Sequence, residues 1–193
     1  MEISFKDKKL LMQITHYAKN TIKEFCSFKD QKNGSMEATQ ISKRFCDVIL
    51  DGLWIANTNY MDQLSDLTWQ QAMTKIGDLN TIAALTFHVN YYVAGVLQVF
   101  EDGTLTISDR FSFDAPTITS QNDWEQRVAT LKNNAEKFSD QVSKMSDEQL
   151  EAVFVDEKYG TYQRNIEAMI EHSYYHLGQI TLIKKLVLAE EKA

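Results

Sequence analysis

The sequence is poor in the two residues that interrupt helices. Its 193 residues include one proline, Pro116, and seven glycines. Proline removes a hydrogen bond from a helix interior, and glycine costs a helix about 1 kcal/mol relative to alanine. The scarcity of both therefore favours long helices and an all-α fold. Hydrophobic residues make up 44% and charged residues 24% of the chain, which is the composition of a globular protein.

The sequence also lacks the charge pattern of a nucleic-acid-binding protein. The formal net charge is -7 and no run of lysine and arginine occurs, whereas nucleic-acid-binding surfaces are basic. No apolar stretch looks long enough to cross a bilayer. Residues 1–11 mix lysines with acids and lack the apolar centre of a signal peptide. We therefore expect a cytoplasmic protein that binds neither nucleic acid nor membrane.

Cysteine is scarce as well. Cys26 and Cys46 are the two cysteines of the chain, and they show neither C-x-x-C nor zinc-ribbon spacing. Because disulfides are rare in intracellular proteins, we expect two reduced thiols packed in helices rather than a disulfide.

Apolar residues recur with helical spacing in five segments of the chain. These segments cover residues 5–27, 37–64, 80–100, 122–144 and 162–190. A polar break at residues 29–35 separates the first segment from the others. We therefore expect a helical N-terminal extension over residues 1–35 and a helical bundle domain over residues 36–193. The segment 104–120, which contains Pro116, is predicted to be a long loop, and loops of that length are often functional.

Two boundary residues and one glycine refine these helices. Asp78 or Asn80 can cap the helix predicted at residues 80–100, because both side chains accept hydrogen bonds from the first turn. Gly52 lies inside the segment 37–64. We expect packing to offset its cost, so that one helix runs through this segment.

Three of the four histidines lie on apolar faces of predicted helices. His172 and His176 are one turn apart, so both rings can point at one ion. On a helical wheel they share the face of Ile180 and Ile183. His88 likewise lies among apolar residues of the helix predicted at 80–100. His16 has no such neighbours, and we expect it to be a surface or capping residue.

The histidine pattern predicts a divalent metal site. Imidazole nitrogen binds zinc at about 2.0–2.1 Å, so the donors must converge from shared surfaces. The alternative is that each of His88, His172 and His176 makes its own hydrogen bond in the core, since buried imidazoles without partners are costly. We favour a shared ion because two of the rings have ligand spacing and the third faces inward. Zinc and nickel both suit imidazole.

The sequence around these histidines resembles a known family. Residues 171–180, EHSYYHLGQI, fit the pattern EHxxYHxGQI and resemble the final helix of DinB-like proteins. Residues 83–90, AALTFHVN, are similar to the second bundle helix of that family, which carries its first histidine. The resemblance extends over residues 37–190. It implies a four-helix bundle, here with an extra N-terminal helix, and a metal centre formed by His88, His172 and His176.

The resemblance also sets expectations about activity. Some DinB-like proteins are transferases or isomerases that use bacillithiol or mycothiol as a cosubstrate. Three neutral histidines leave a tetrahedral ion one open position, which is typical of catalytic zinc sites. We therefore expect a metal-dependent hydrolase or a small-thiol-dependent transferase that acts on a small-molecule substrate. The alternative is a non-catalytic protein, in which the metal is structural, the site is empty, or the bundle mediates association. A homodimer is left open.

Two further residues are candidates for catalysis or substrate contact. Tyr92 lies one turn after His88, although a tyrosine on an apolar face is commonly part of the core. Gln179 and Asn165 fall within about 20° of His172 on the helical wheel, so either could contact a ligand histidine or a substrate. Glu171 precedes the pair but points to the opposite side.

Overall fold

The structure, a computed structural model, describes residues 34–191. The predicted helix at residues 5–27, with His16 and Cys26, lies outside the described residues. The α-helices are, in chain order, α1 (Met36–Ile49), α2 (Tyr60–Leu64), α3 (Trp69–Met73), α4 (Ile82–Asp102), α5 (Gln121–Ser143), α6 (Asp147–Glu151) and α7 (Tyr162–Glu190). Residues 34–191 contain no β-strand, so the predicted all-α fold is confirmed.

Four long helices, α1, α4, α5 and α7, form a bundle around one core. Helix α5 packs against α1 and α4, and α7 packs against the same two helices from the other side. Trp124, Phe138 and Ile166 are among the largest fully buried side chains of this core. Each long helix thus covers the apolar faces of two neighbours, as in other helical bundles.

Helices α4 and α5 run in the same direction. Asn134 donates a hydrogen bond to Asn90 (2.9 Å), and further along both helices the rings of Phe100 and Phe138 lie 5.1 Å apart. Helix α7 runs opposite to α4. The ring centroid of Tyr162, in the first turn of α7, lies 5.9 Å from that of Phe100, near the end of α4. Neighbours α4 and α5 are therefore parallel, whereas α4 and α7 are antiparallel.

The long loop at residues 104–120 follows from this parallel pair. Helix α4 has 21 residues, so it is about 30 Å long, and the chain must return that distance before α5 begins. The returning chain lies along α4, where Tyr91 donates to the carbonyl of Ser108 (3.0 Å), and Arg127 of α5 donates to the carbonyl of Pro116. We call residues 104–120 the crossover segment.

The single helix predicted over residues 37–64 is wrong. Helix α1 ends at Ile49 and α2 begins at Tyr60, with an irregular segment between them. Ile55, which the helical spacing placed on a buried face, is 65% exposed.

The break has a local cause at each end. The chain turns sharply after α1, so a Cβ atom on the buried Gly52 would lie 2.2 Å from the Cα of Asp47. Asn59 then caps α2 by accepting a hydrogen bond from the amide of Asp62 (2.9 Å). Side-chain capping of this kind begins a new helix instead of continuing the old one.

The start of α4 also differs from the prediction. Neither Asp78 nor Asn80 caps it; the hydroxyl of Thr81 accepts from the amide of Ala84 (3.1 Å). The helix ends at Gly103, whose φ of 77° is the left-handed conformation that glycine adopts without a steric penalty.

Cys46 occupies a buried position of α1. Its Sγ lies 2.9 Å from the hydroxyl oxygen of Ser139 on α5. The expectation of a packed cysteine therefore agrees with the structure at this position, while Cys26 lies outside the described residues.

Helix α4 corrects one expectation about membranes. Within residues 34–191 it is the helix that is long and apolar enough to cross a bilayer by length and composition, so an apolar stretch of sufficient length does exist. However, 61% of the most apolar 18-residue stretch of this helix is buried inside the protein. Its position between α5 and α7 accounts for this apolar character, as in the core helix of a soluble protein.

The two glycines Gly52 and Gly178 should respond oppositely to alanine. Gly52→Ala should lower the free energy of unfolding by at least about 1–3 kcal/mol, the usual cost of overpacking, because its Cβ meets backbone at Asp47. Gly178→Ala should raise it by about 0.5–1 kcal/mol, because that position is helical, exposed and open. Urea unfolding of both variants measures the difference. Equal effects would contradict the close turn at Gly52.

Candidate metal centre

The three predicted histidines meet between α4 and α7. His172 and His176 lie one turn apart on α7, and His88 faces them from α4. His88 and His176 are buried, with 7% and 6% exposure, whereas His172 is partly exposed. The antiparallel packing of the two helices therefore creates one cluster from residues that are 84 positions apart in the chain.

The three imidazole rings approach one another through the same ring nitrogen, Nε2. The Nε2 atom of His172 lies 3.1 Å from that of His88 and 3.0 Å from that of His176. Nitrogen ligands bound to a tetrahedral zinc ion at 2.0–2.1 Å are roughly 3.3 Å apart. The observed separations are close to this spacing, so a small shift would accommodate an ion.

Hydrogen bonds behind the cluster orient two of the rings. The Nδ1 atom of His88 lies 3.3 Å from the carbonyl oxygen of Ser112, and that of His176 lies 2.7 Å from Oε1 of Gln179. Both partners are acceptors, so each Nδ1 carries the proton and each Nε2 presents a lone pair. This is the tautomer that metal-binding histidines adopt when a neighbouring acceptor fixes the ring.

Hydrogen bonds among the three Nε2 atoms cannot satisfy all of them. A neutral imidazole nitrogen has one in-plane position, which holds either a proton or a lone pair. The single Nε2 position of His172 therefore cannot make good hydrogen bonds to both His88 and His176. A cation at the point of convergence would accept all three lone pairs, so the residues fit a divalent ion.

The cluster is uncharged near neutral pH. Burial lowers the pKa of His172 from 6.5 to about 4, and charges on His176 and His88 act in the same direction. Burial also lowers the pKa of His88 and of His176. Three neutral imidazoles are the protonation state that a metal ion requires.

Comparison with known proteins agrees with this geometry. A sequence profile described as the DinB superfamily matches residues 50–180, which include all three histidines. The chain belongs to the DinB superfamily. A search of curated proteins and a search of solved structures found no significant match.

Tyr92 lies against the three-histidine cluster. Its ring centroid is 5.1 Å from those of both His88 and His172. Its hydroxyl donates to the carboxylate of Asp109 (2.9 Å). Burial raises the pKa of the phenol, and the carboxylate acts in the same direction, so the phenol stays protonated. The structure thus places Tyr92 at the site, and its catalytic role stays a prediction.

The two polar residues predicted near His172 separate in the structure. Gln179 accepts a hydrogen bond from Nδ1 of His176, so it orients a ring of the cluster. Asn165 instead donates to the carbonyls of Tyr159 and Thr161 at the start of α7. Angle on a helical wheel placed both residues on one face, but two helical turns separate Asn165 from the cluster.

The crossover segment supplies residues that the sequence did not identify. Ser112 accepts from His88, and the ring of Phe113 stacks on His88 with centroids 4.1 Å apart. Asp109 binds the phenol of Tyr92. The sequence contains one signal for them, the length of the segment after α4, but that length does not reveal which residues lie opposite His88.

A separate cavity lies near the other end of α4. It has a volume of about 360 Å³ and is bounded by Phe100, Lys144 and Tyr162, among others. None of the three histidines lines it. This cavity is therefore separate from the histidine cluster.

The hydrogen bond from His176 to Gln179 should matter for metal affinity. Gln179→Leu removes the acceptor that orients the ring and should weaken binding of Zn²⁺ about 10- to 100-fold. Gln179→Glu keeps an oxygen acceptor and should retain most of the affinity. Competition with a chromophoric chelator measures both variants. Equal affinity of the two variants would show that the acceptor is not needed.

Metal-free protein should lose stability as the pH falls. The folded-state pKa of His172 lies below 6.5, so between about pH 6.5 and 4 the unfolded chain binds a proton that the folded protein does not. This contribution to stability is complete above pH 6.5 and decreases as the pH is lowered. Urea unfolding with chelator at pH 7.5 and 5.5 should show the decrease, and His172→Gln should reduce it. Equal decreases in both proteins would contradict the assignment.

Proposed function

We propose that this protein is a metal-dependent enzyme in which His88, His172 and His176 hold one divalent ion. The reaction class that we propose is hydrolysis of a small molecule or transfer of a small thiol to it. The convergence of the three Nε2 atoms carries this proposal. Imidazole nitrogen suits both zinc and nickel.

The ligand number favours a catalytic over a structural ion. Within residues 34–191, no Asp, Glu, Cys or further His joins the three histidines as a fourth donor. Structural zinc sites normally have four protein ligands, whereas catalytic sites have three. The partial exposure of His172 supports access from solvent. When bound, such an ion would lower the pKa of a water or thiol that occupies its open position.

The surrounding residues have defined tasks in this proposal. Ser112 and Gln179 hold the rings of His88 and His176 with their Nε2 atoms towards the ion. Tyr92, whose phenol is engaged by Asp109, bounds the same site. The phenolic oxygen still has acceptor capacity, so it can receive a hydrogen bond from a substrate or nucleophile.

The finer parts of the proposal rest on family membership. Use of a low-molecular-weight thiol as cosubstrate is supported by the resemblance to thiol-dependent DinB-like transferases. We also propose a cytoplasmic location, and a homodimer is left open. The competing function is a non-catalytic bundle with a structural ion, and it is favoured if the bound ion has no exchangeable position.

Metal content tests the ligand assignment. Protein purified without a histidine tag should contain about one Zn²⁺ or Ni²⁺ per chain by elemental analysis. His176→Ala should weaken Zn²⁺ binding by more than about 100-fold. This loss exceeds the one expected when a residue that only hydrogen-bonds to a metal ligand is replaced. Glu171→Gln is the matched control, because Glu171 is an exposed carboxylate beside His172 that pairs with Arg164 and does not join the cluster. Unchanged affinity in His176→Ala would refute the assignment.

Turnover tests the enzymatic role. The metal-loaded protein should hydrolyse an activated ester or transfer a small thiol to a chlorinated nitrobenzene, and chelator should abolish the activity. His88→Gln should lose the activity while keeping its helical circular dichroism, because a polar side chain of similar reach replaces the ring. A bound ion that stabilises the fold without any turnover, and without exchangeable water, would instead establish the structural role.

A further inference from the structure

Each imidazole of the cluster has an aromatic neighbour outside the cluster. The closest pairs of ring centroids are His88 with Phe113 (4.1 Å), His172 with Tyr92 (5.1 Å) and His176 with Tyr175 (4.8 Å). The rings come from three places, namely the crossover segment, α4 and α7. Three separate parts of the chain thus place aromatic side chains around one polar site.

Two of these rings are exposed although the protein buries other aromatic residues fully. Phe113 is 43% exposed and Tyr175 is 65% exposed, whereas Trp124 and Phe45 are buried in the core. Single exposed apolar residues are ordinary on protein surfaces. Exposed rings that each contact a ring of the same histidine cluster are a different case, because a molecule bound at the cluster would cover them.

The side chains beside the cluster determine what a bound molecule gains there. Tyr92 donates its hydroxyl hydrogen to Asp109, so that polar group is already engaged and the ring offers apolar contact. A flat aromatic group would gain apolar contact and ring stacking with the exposed rings.

We propose that Phe113, Tyr92 and Tyr175 form a substrate subsite for an aromatic group. The polar end of the substrate reaches the histidine cluster, and its flat apolar part packs on Phe113 and Tyr175. This inference rests on the proposed function, because it takes the three histidines as the metal site. It adds the chemical class of the substrate, an aromatic compound.

Binding of small imidazoles to cobalt-loaded protein tests the subsite. Co²⁺ binds the same donors as Zn²⁺, and its visible spectrum changes when a further ligand coordinates. The probes are 4-methylimidazole and 4-phenylimidazole, which present the same coordinating ring with and without an aromatic group. Affinities come from spectroscopic titration of the cobalt-loaded protein with each probe.

The variants separate ring contact from general disturbance. Phe113→Ala and Tyr175→Ala remove one ring each, and each should weaken 4-phenylimidazole about two- to tenfold, the range of a single aromatic pair. Affinity for 4-methylimidazole should change less than about twofold. Tyr159→Ala is the matched control, because Tyr159 is 42% exposed but lies at the start of α7, away from the cluster.

The outcomes distinguish this inference from the proposed function. A selective loss for 4-phenylimidazole in the Phe113 and Tyr175 variants supports the subsite. Equal losses for both probes would show that Phe113 acts only by holding His88, and would overturn it while leaving the metal site intact. Absence of a cobalt spectrum in the wild-type protein would overturn the metal site itself.

Discussion

The parallel packing of α4 and α5 is the constraint on which the site depends. Two adjacent parallel helices cannot be joined by a short turn, so the chain must return along about 30 Å of helix. The crossover segment makes this return along α4 and passes His88. The acceptor for the His88 ring, the carbonyl of Ser112, and the stacked ring of Phe113 are both consequences of that path.

The electrostatics of the cluster follow from burial in the bundle. Charged imidazoles would be costly between α4 and α7, so burial lowers the pKa of all three histidines. Ser112 and Gln179 then accept hydrogen bonds from Nδ1 of His88 and His176, so the Nε2 atoms of these two rings carry lone pairs that face His172. A proton on Nε2 of His172 can satisfy only one of these lone pairs, so the metal-free cluster leaves the other without a partner. A cation that binds all three nitrogen atoms would remove this cost. Metal binding and folding are therefore expected to be coupled.

Much of the fold follows from helical spacing, and the errors have physical causes. The predicted segments 80–100, 122–144 and 162–190 agree with α4, α5 and α7 to within about two residues, because each has one continuous apolar face. The segment 37–64 failed because spacing alone does not reveal the turn at Gly52. His88, His172 and His176 were predictable because each belongs to such a face. Ser112, Phe113 and Asp109 were not, because their positions depend on the register of the crossover segment against α4.

The site therefore divides into two parts with different structural support. The three histidines and Gln179 lie on bundle helices, so their spacing is determined by core packing and changes little without disturbing the fold. Phe113 and Asp109 are exposed residues of the crossover segment, whereas Ile118 of the same segment is buried in the core. Loops positioned by a rigid scaffold are where proteins change specificity at the least cost in stability. Under the proposed function, the helices would hold the ion, and substitutions at exposed positions of the crossover segment would alter substrate contacts with the least effect on the core.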